Sequence, residues 1–261
     1  MHNPARMGDL AEFDLTGAVA IVSGGNGGIG RGIAIGLARA GADIAIAARN
    51  EEKTGAVVAE IEAIGRRCLG ISCDVLKRSD IESVVETVVE KLGRISILVN
   101  NAGIAAGGRP EAISEDVWDR VIDTNLKAGF LFAQACHSAM VRNGWGKVIN
   151  IGSEYALFGS PTVLPYSASK GGVIQMTKSL AAAWARDNIQ VNCIIPGWIT
   201  TDMTAGLTRN EAAYQRIVDR TPARRFGEPE ECAGAAVFLA SRASNFVTGQ
   251  SICVDGGYSI A

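Results

Sequence analysis

Tyr166 and Lys170 stand four residues apart, a short distance after Ser153. Together these side chains have what proton transfer to a carbonyl, or from an alcohol, requires. On a helix, residues four apart share a face about 6 Å apart along the axis. A free tyrosine has a pKa near ~10, too high for a proton carrier at neutral pH. An ammonium within roughly 4–6 Å favours the phenolate and lowers that pKa by about 1–3 units, into the range where general acid–base catalysis works best. Ser153 could hold the reacting oxygen against the phenol. The spacing alone also fits an ordinary amphipathic helix with a half-buried tyrosine and a surface lysine, so the decision rests on the elements around it.

Those elements alternate. An apolar strand at residues 18–23 runs straight into Gly24-Gly25-Asn26-Gly27-Gly28-Ile29-Gly30, and a helical repeat follows until Gly41. Strand, glycine turn and helix form a phosphate cradle: glycines let backbone N–H groups approach a pyrophosphate, and the helix amino end adds positive potential. A strand at 43–48 ends at Arg49, a helix covers 51–64, and a strand at 67–73 precedes Asp74-Val75. Ser79 is read as the cap of the next helix. A fourth strand at 95–99 enters Asn100-Asn101-Ala102-Gly103. A long helix from 114 to about 142 holds Asn125 on an otherwise apolar face, where a poor helix former points to a functional kink. Strands at 147–152 and 189–195 flank a helix over 163–186. Pro196-Gly197 breaks the sixth strand. Residues 198–225 lack a steady pattern apart from a short helix around 210–219, a length typical of a lid over an active site. A helix at 228–241 and a strand at 251–254 complete the chain. The expectation is a single α/β domain over 1–261, doubly wound around a seven-stranded parallel sheet with helices on both faces. Residues 1–15 are expected to form a loose arm.

Composition narrows the function classes. Charge is nearly balanced, with 25 basic and 27 acidic residues, which argues against nucleic acid or an anionic membrane as partner. No apolar run approaches a membrane span, and the amino terminus lacks a secretory segment, so a cytoplasmic, reducing location without disulfides is expected. Two histidines and six dispersed cysteines give no zinc-ligand spacing, and no metal site is predicted.

The motifs, in order, resemble the short-chain dehydrogenases/reductases, in the single-domain branch typified by 3-oxoacyl-carrier-protein reductases and by gluconate or glucose dehydrogenases. The resemblance runs over about residues 14–258. It is carried by Ser23-Gly24 through Gly30, by Asp74, by residues 100–103, by Pro196-Gly197 with Thr201, and by Asn125, Ser153, Tyr166 and Lys170. It implies a ketone–secondary alcohol oxidoreductase in which Tyr166 is the general acid/base and Lys170 lowers its pKa and holds the nicotinamide ribose. Ser153 would bind the substrate oxygen and Asn125 would position a water of the proton path. Gly24, Gly28 and Gly30 would line the pyrophosphate. Asp74 would accept from the adenine amino group, Asn101 would flank the adenosine ribose and Thr201 would bond the carboxamide or phosphate. Ser23, Asn26, Ile29, Val75, Ala102, Gly103, Pro196, Gly197 and Ile199 complete the implied cofactor contacts.

Two other readings compete: a catalytically silent nucleotide-binding regulator or scaffold of the same fold, and a sugar-nucleotide epimerase or dehydratase. The complete set of four reactive residues argues against the first. The lack of sequence for a carboxy-terminal substrate domain argues against the second. The end of the second strand addresses the cofactor. An acid there would bind the ribose 2′-hydroxyl and repel a 2′-phosphate. Ala48 can do neither, and the guanidinium of Arg49 suits a phosphate, so NADP(H) is expected ahead of NAD(H), although Arg49 could instead pair with Glu51 or Glu52. The substrate pocket is expected to draw on Glu154, Tyr155, Leu157, Phe158, Val163, Leu164, Trp198 and Met203, the alternative for Glu154 being a side chain that merely faces solvent. These residues suit a polyol or sugar acid, a β-ketoacyl thioester or a cyclic ketone about equally. Apolar residues on the helices at 114–142 (Phe130, Phe132, Met140) and 163–186 (Met176, Trp184), with Phe246, Ile252 and Val254 near the last strand, are read as association surfaces. The family commonly pairs there, so a homotetramer is expected, with a dimer next.

Overall fold

The computed structural model describes residues 11–261. Seven strands form one parallel sheet: β1 (Val19–Ser23), β2 (Asp43–Ala48), β3 (Cys68–Ser72), β4 (Ile97–Asn100), β5 (Gly146–Ile151), β6 (Ile189–Pro196) and β7 (Ser251–Val254). Their order across the sheet is β3-β2-β1-β4-β5-β6-β7. The order reverses between β1 and β4, and a crevice opens there at the carboxyl ends of the strands, the usual ligand position in open α/β sheets.

Burial on both faces explains the near-continuous apolar strands. In β1, Ala20 and Val22 join a core with α1 (Gly28–Arg39) and α9 (Ala233–Ala240). Val19 and Ile21 face the opposite core with α3 (Arg78–Leu92) and α5 (Ala128–Asn143). The side-chain period of two thus assigns each strand residue to one layer. Five of the six cysteines lie buried, and all six are free thiols.

The local signals are unequal guides. Asn50 caps α2 (Glu51–Ala63), its side chain accepting from the Lys53 N–H at 2.8 Å. Ser114 caps α4 (Glu115–Ile122) in the same way. Ser79 does not cap α3. A turn in which the Lys77 N–H donates to the Asp74 carbonyl brings the chain into the helix earlier, with Lys77 at the cap. The helix expected over 114–142 is interrupted by a π-helical turn, Asp123–Lys127, with Asn125 at its centre. The region from 228 begins as a 3-10 turn, Pro229–Cys232, closed by a capping box between Glu228 and Glu231, before α9 starts.

Two expectations need correction. The first ten residues of the expected arm lie outside the described residues, but its end is anchored: Leu15 is buried and Phe13 meets Phe238, while Ala11, Glu12 and Asp14 are exposed. Phe132 and Met140 are not surface residues awaiting a partner but fully buried core. Phe130 and Phe246 remain exposed.

After β6 the chain runs through α7 (Ala205–Thr208) and α8 (Glu211–Arg220) before returning to the sheet edge. A parallel bridge between Ile199 and Gly227 closes this segment at its base. Its Ile217, Val218 and Phe226 form, with Tyr258 from beyond β7, a small core separate from the two sheet cores. Among the described residues no helix is long and apolar enough to cross a membrane, and no group of acidic, cysteine and histidine side chains is disposed to hold a metal ion.

Candidate active site

Tyr166 and Lys170 lie on α6 (Leu164–Trp184), which starts with Pro165 in its first turn and packs on β6. Proline suits that position because its missing N–H would be unpaired anyway. Lys170 is buried, its Nζ donating to the Ile151 carbonyl at 2.7 Å and lying 5.7 Å from the centre of the Tyr166 ring. Burial without a carboxylate partner pushes Lys170 down to about 8. Ser153, just beyond β5, lies within hydrogen-bonding reach of the Tyr166 hydroxyl. The three side chains expected to act together are therefore brought together.

The electrostatics differ from the expectation. Burial pushes Tyr166 up rather than down; the Ser153 hydrogen bond opposes the shift, and the nearby Tyr155 adds to it. The reason is that Lys170 is itself desolvated and directs its ammonium at a backbone carbonyl. Tyr166 is thus held as a neutral phenol, the donor form that carbonyl reduction needs.

Asn125 sits beside this group. Its Oδ1 accepts from the Ile104 N–H at 2.8 Å, and its Nδ2 donates to the Ile104 carbonyl at 2.9 Å and to Ser169 Oγ at 3.1 Å. Ser169 in turn donates to the Tyr166 carbonyl at 2.7 Å. The π-turn supplies this placement, since an extra residue in the turn redirects the side chain inward. Asn125 therefore clamps the loop after β4 to the helix that bears Tyr166.

The glycine loop is tied to the loop after β4 by two side chains. Ser23 Oγ accepts from the N–H groups of Asn101 and Ala102 at 3.0 and 3.1 Å. Asn101 Nδ2 donates to the carbonyls of Ser23 and Gly24. Both residues, expected at the cofactor, are thus engaged in holding its cradle. Asn26 does similar work, donating to the Asn50 carbonyl and to Thr54 Oγ1. Gly24 and Gly28 have φ of +63° and +49°, a left-handed backbone that favours glycine. Thr201 packs against Gly28, since a Cβ there would lie 3.2 Å from Thr201 Cγ2. A Cβ on Gly103 would lie within 4 Å of both Asn125 Oδ1 and Lys170 Nζ, so the cradle and the proton-transfer groups adjoin.

Next to the cradle lies a cavity of about 450 Å³, bordered by Gly24, Arg49, Asp74, Val75 and Ala102 among others. Arg49 is exposed and, among the described residues, pairs with no acid, Glu51 and Glu52 included. An apolar base, a carboxylate, a free guanidinium and a backbone held open by glycines fit an adenine dinucleotide. Pro196 and Gly197 close β6 away from this cavity, next to Asp255 and Glu154, and Ile199 is buried.

On the far side of Tyr166 the walls are aromatic. The Tyr155 ring lies 6.1 Å from Tyr166, 6.1 Å from Trp198 and 5.8 Å from Phe158. Glu154 does not face solvent. It is 4% exposed, and its Oε1, which a Cβ on Gly197 would approach to 3.0 Å, has no hydrogen-bond partner. Burial, reinforced by Asp255 and opposed by Arg220, pushes Glu154 up to about 8. Trp198 Nε1 is buried and unpartnered as well. Val163 is half-buried, while Leu157, Leu164 and Met203 stand largely exposed. Arg220 and Tyr258, which the sequence did not signal, also belong to this wall; both reach it by packing from distant segments.

The raised Glu154 has a consequence for stability. A carboxyl whose folded pKa exceeds its unfolded value stabilises fully below about 4.5, and that contribution is lost as pH rises through about 8. Glu154→Gln removes the titration. We expect the variant to gain about 1–3 kcal/mol on the wild type between pH 5 and pH 9. Denaturant melts across that range check this; parallel pH profiles would contradict it.

Comparison with known proteins fits this architecture. A family model described as enoyl-(acyl carrier protein) reductase matches residues 24–259, and the chain belongs to the short-chain dehydrogenase/reductase family. It is an NAD(P)-dependent oxidoreductase that interconverts a ketone and a secondary alcohol. Among similar proteins, the gluconate 5-dehydrogenase of Gluconobacter oxydans (strain 621H) is 40% identical over 249 residues, covering 95% of this chain and 97% of its own. The 5-keto-D-gluconate 5-reductase of Escherichia coli (strain K12) is 40% identical over 255 residues, 98% of this chain and 100% of its own. The crystal structure of a gluconate 5-dehydrogenase from Burkholderia cenocepacia J2315, in complex with NADP and tartrate, superposes with a TM-score of 0.92 at 40% identity, covering 96% of this chain and 98% of that one.

Proposed function

We propose that this chain is an NADP(H)-preferring dehydrogenase/reductase of sugar acids, with Tyr166 as its general acid/base. The observation that carries the reading is the meeting of Ser153, Tyr166 and a buried Lys170 beside a glycine cradle. The names of the relatives favour a hydroxy or keto sugar acid over a thioester or a cyclic ketone. NADP(H) would supply or receive hydride at its nicotinamide ring. The protein's own residues then handle orientation and the proton. Ser153 Oγ holds the substrate oxygen at the phenol, and Tyr166 gives its proton to that oxygen as the carbonyl becomes an alcohol. Lys170, fixed by the Ile151 carbonyl, offers its remaining N–H groups towards the cradle. Asn125 keeps the loop after β4 and α6 in register. Residues 198–225 act as a lid that excludes water from the transfer, within a single domain.

Arg49 is the reason to favour NADP(H), because its unpaired guanidinium borders the cavity at the end of β2. One charge-assisted contact is worth about 1.5–3 kcal/mol, less at an exposed site. The test is kcat/KM for 5-keto-D-gluconate, a β-ketoacyl thioester and a cyclic ketone with both cofactors. We expect the sugar acid with NADPH to lead, and Arg49→Ala to reduce the NADPH:NADH ratio about tenfold. A wild-type preference for NADH, or an unchanged ratio in the variant, removes Arg49 from the cofactor site. A lead for the thioester replaces the substrate class.

The exposed Phe130 and Phe246, on α5 and just before β7, support association into a homotetramer. Light scattering at micromolar concentration should give four times the chain mass; a monomeric mass refutes this.

A further inference from the structure

Arg220 ends α8 with its guanidinium 4.2 Å from the ring centre of Tyr258 and 5.2 Å from that of Phe158. One N–H, on Nη1, reaches the Tyr258 hydroxyl at 3.3 Å. A guanidinium carries five N–H donors in a rigid fork, and among the described residues no carboxylate pairs with this one. The neighbouring arginines differ: Arg224 meets Asp219 and Arg225 meets Glu231. Arg220 is exposed, and stacking on two rings fixes the direction of the fork while leaving its other N–H groups open to a ligand from solvent.

The position matters as much as the missing partner. Phe158 touches Tyr155, and Tyr155 touches Tyr166, so Arg220 stands at the far end of the aromatic wall that starts at the proton donor. Trp198 touches both Tyr155 and Tyr258 along this wall, and its Nε1, like Glu154 Oε1 beside Gly197, is buried without a partner. Buried polar groups are rarely left unpaired without a reason. Glu154, kept protonated below about 8 by burial and by Asp255, adds no negative charge to repel an anion. Asp255 is close by and keeps its charge, but its oxygens are held by the Gly257 and Ser259 N–H groups and it forms no ion pair with Arg220.

We propose that Arg220 is the anchor for the carboxylate of the substrate, binding the end of a hydroxy acid remote from the carbon that is oxidised or reduced. This inference rests on the sugar-acid reading above and assigns its specificity to a residue of the segment between β6 and β7. The selection is for charge: an acid binds across the wall from Tyr166 to Arg220, while a neutral polyol of the same shape leaves the guanidinium unpaired.

The test compares 5-keto-D-gluconate with L-sorbose, which carries a –CH2OH group where the acid carries its carboxylate. Both are assayed with NADPH on the wild type, Arg220→Gln and Arg220→Lys. The wild type should prefer the acid. Arg220→Gln should lower that preference by about 10- to 100-fold, the worth of a charge-assisted hydrogen bond, through KM with kcat retained. Turnover of L-sorbose reads the part of the loss that comes from the aromatic wall alone, and the acid should lose at least about tenfold more than L-sorbose does. Arg220→Lys should recover part of the preference, since charge returns without the fork. A preference unchanged in Arg220→Gln, or both substrates slowed equally through kcat, overturns the anchor while leaving the sugar-acid reading intact. A wild type that shows no preference for the acid overturns that reading and the anchor with it.

Discussion

Tyr166→Phe should lower turnover by about 10²–10⁴, the range typical for removing a general acid, with NADPH affinity changed little. The variant keeps the ring, its contact with Tyr155 and the position of Lys170 beneath it, and loses only the hydroxyl. Because burial raises the Tyr166 pKa, the phenol remains protonated beyond the ordinary tyrosine value. Reduction in the wild type should therefore persist on the alkaline side, and oxidation should need higher pH to begin. Single-turnover hydride transfer, followed by NADPH absorbance, separates chemistry from binding. Wild-type turnover in the variant would remove Tyr166 from the proton path and assign proton donation to another group.

The second large effect is expected from Gly30→Ala. A Cβ at Gly30 would overlap both the Gly24 carbonyl oxygen and Asn101 Nδ2. Relief requires Asn101 to withdraw from the Ser23 and Gly24 carbonyls, which unties the glycine loop from the loop after β4. Overpacking of this kind costs about 1–3 kcal/mol in stability. Losing the shape of the cradle should weaken NADPH binding by roughly a further 10- to 100-fold. Calorimetric titration and a thermal melt read the two effects separately. An unchanged dissociation constant would mean that this glycine serves helix packing alone.

What the sequence revealed, and what it concealed, follows from the range of the forces involved. The cradle was legible because every part of it is local: strand, glycines and helix follow one another from Val19 to Arg39. Asn125 was legible as an anomaly, a poor helix former on an apolar face, although the π-turn that explains it required the fold. Ser79 misled because it is a good cap in the right neighbourhood, and a backbone turn at Asp74–Lys77 took precedence. The direction of the Tyr166 shift was not legible. Spacing places an ammonium near the ring, but only packing shows that the ammonium is itself desolvated and directed elsewhere. Arg220 and Tyr258 were invisible for a different reason: they are 38 positions apart and meet only when the chain end folds back over α8.

The closed base of the segment between Trp198 and Phe226 bears on how such an enzyme can be altered. Its two ends meet at the Ile199–Gly227 bridge, and apart from Ile199, which joins a sheet core, its buried apolar residues pack with Tyr258 and Phe158 in a separate nucleus. A stretch with adjoining ends and few ties to the sheet cores can be exchanged as a cassette, provided its few outside partners go with it. The Ser23–Asn101 ties and Lys170 lie outside it. On the lid role proposed for this segment, transplanting it between paralogues should change which substrates are accepted. Its passengers, Tyr155, Phe158 and Tyr258, lie elsewhere in the chain and must travel with it, or the graft will lack the wall it leans on.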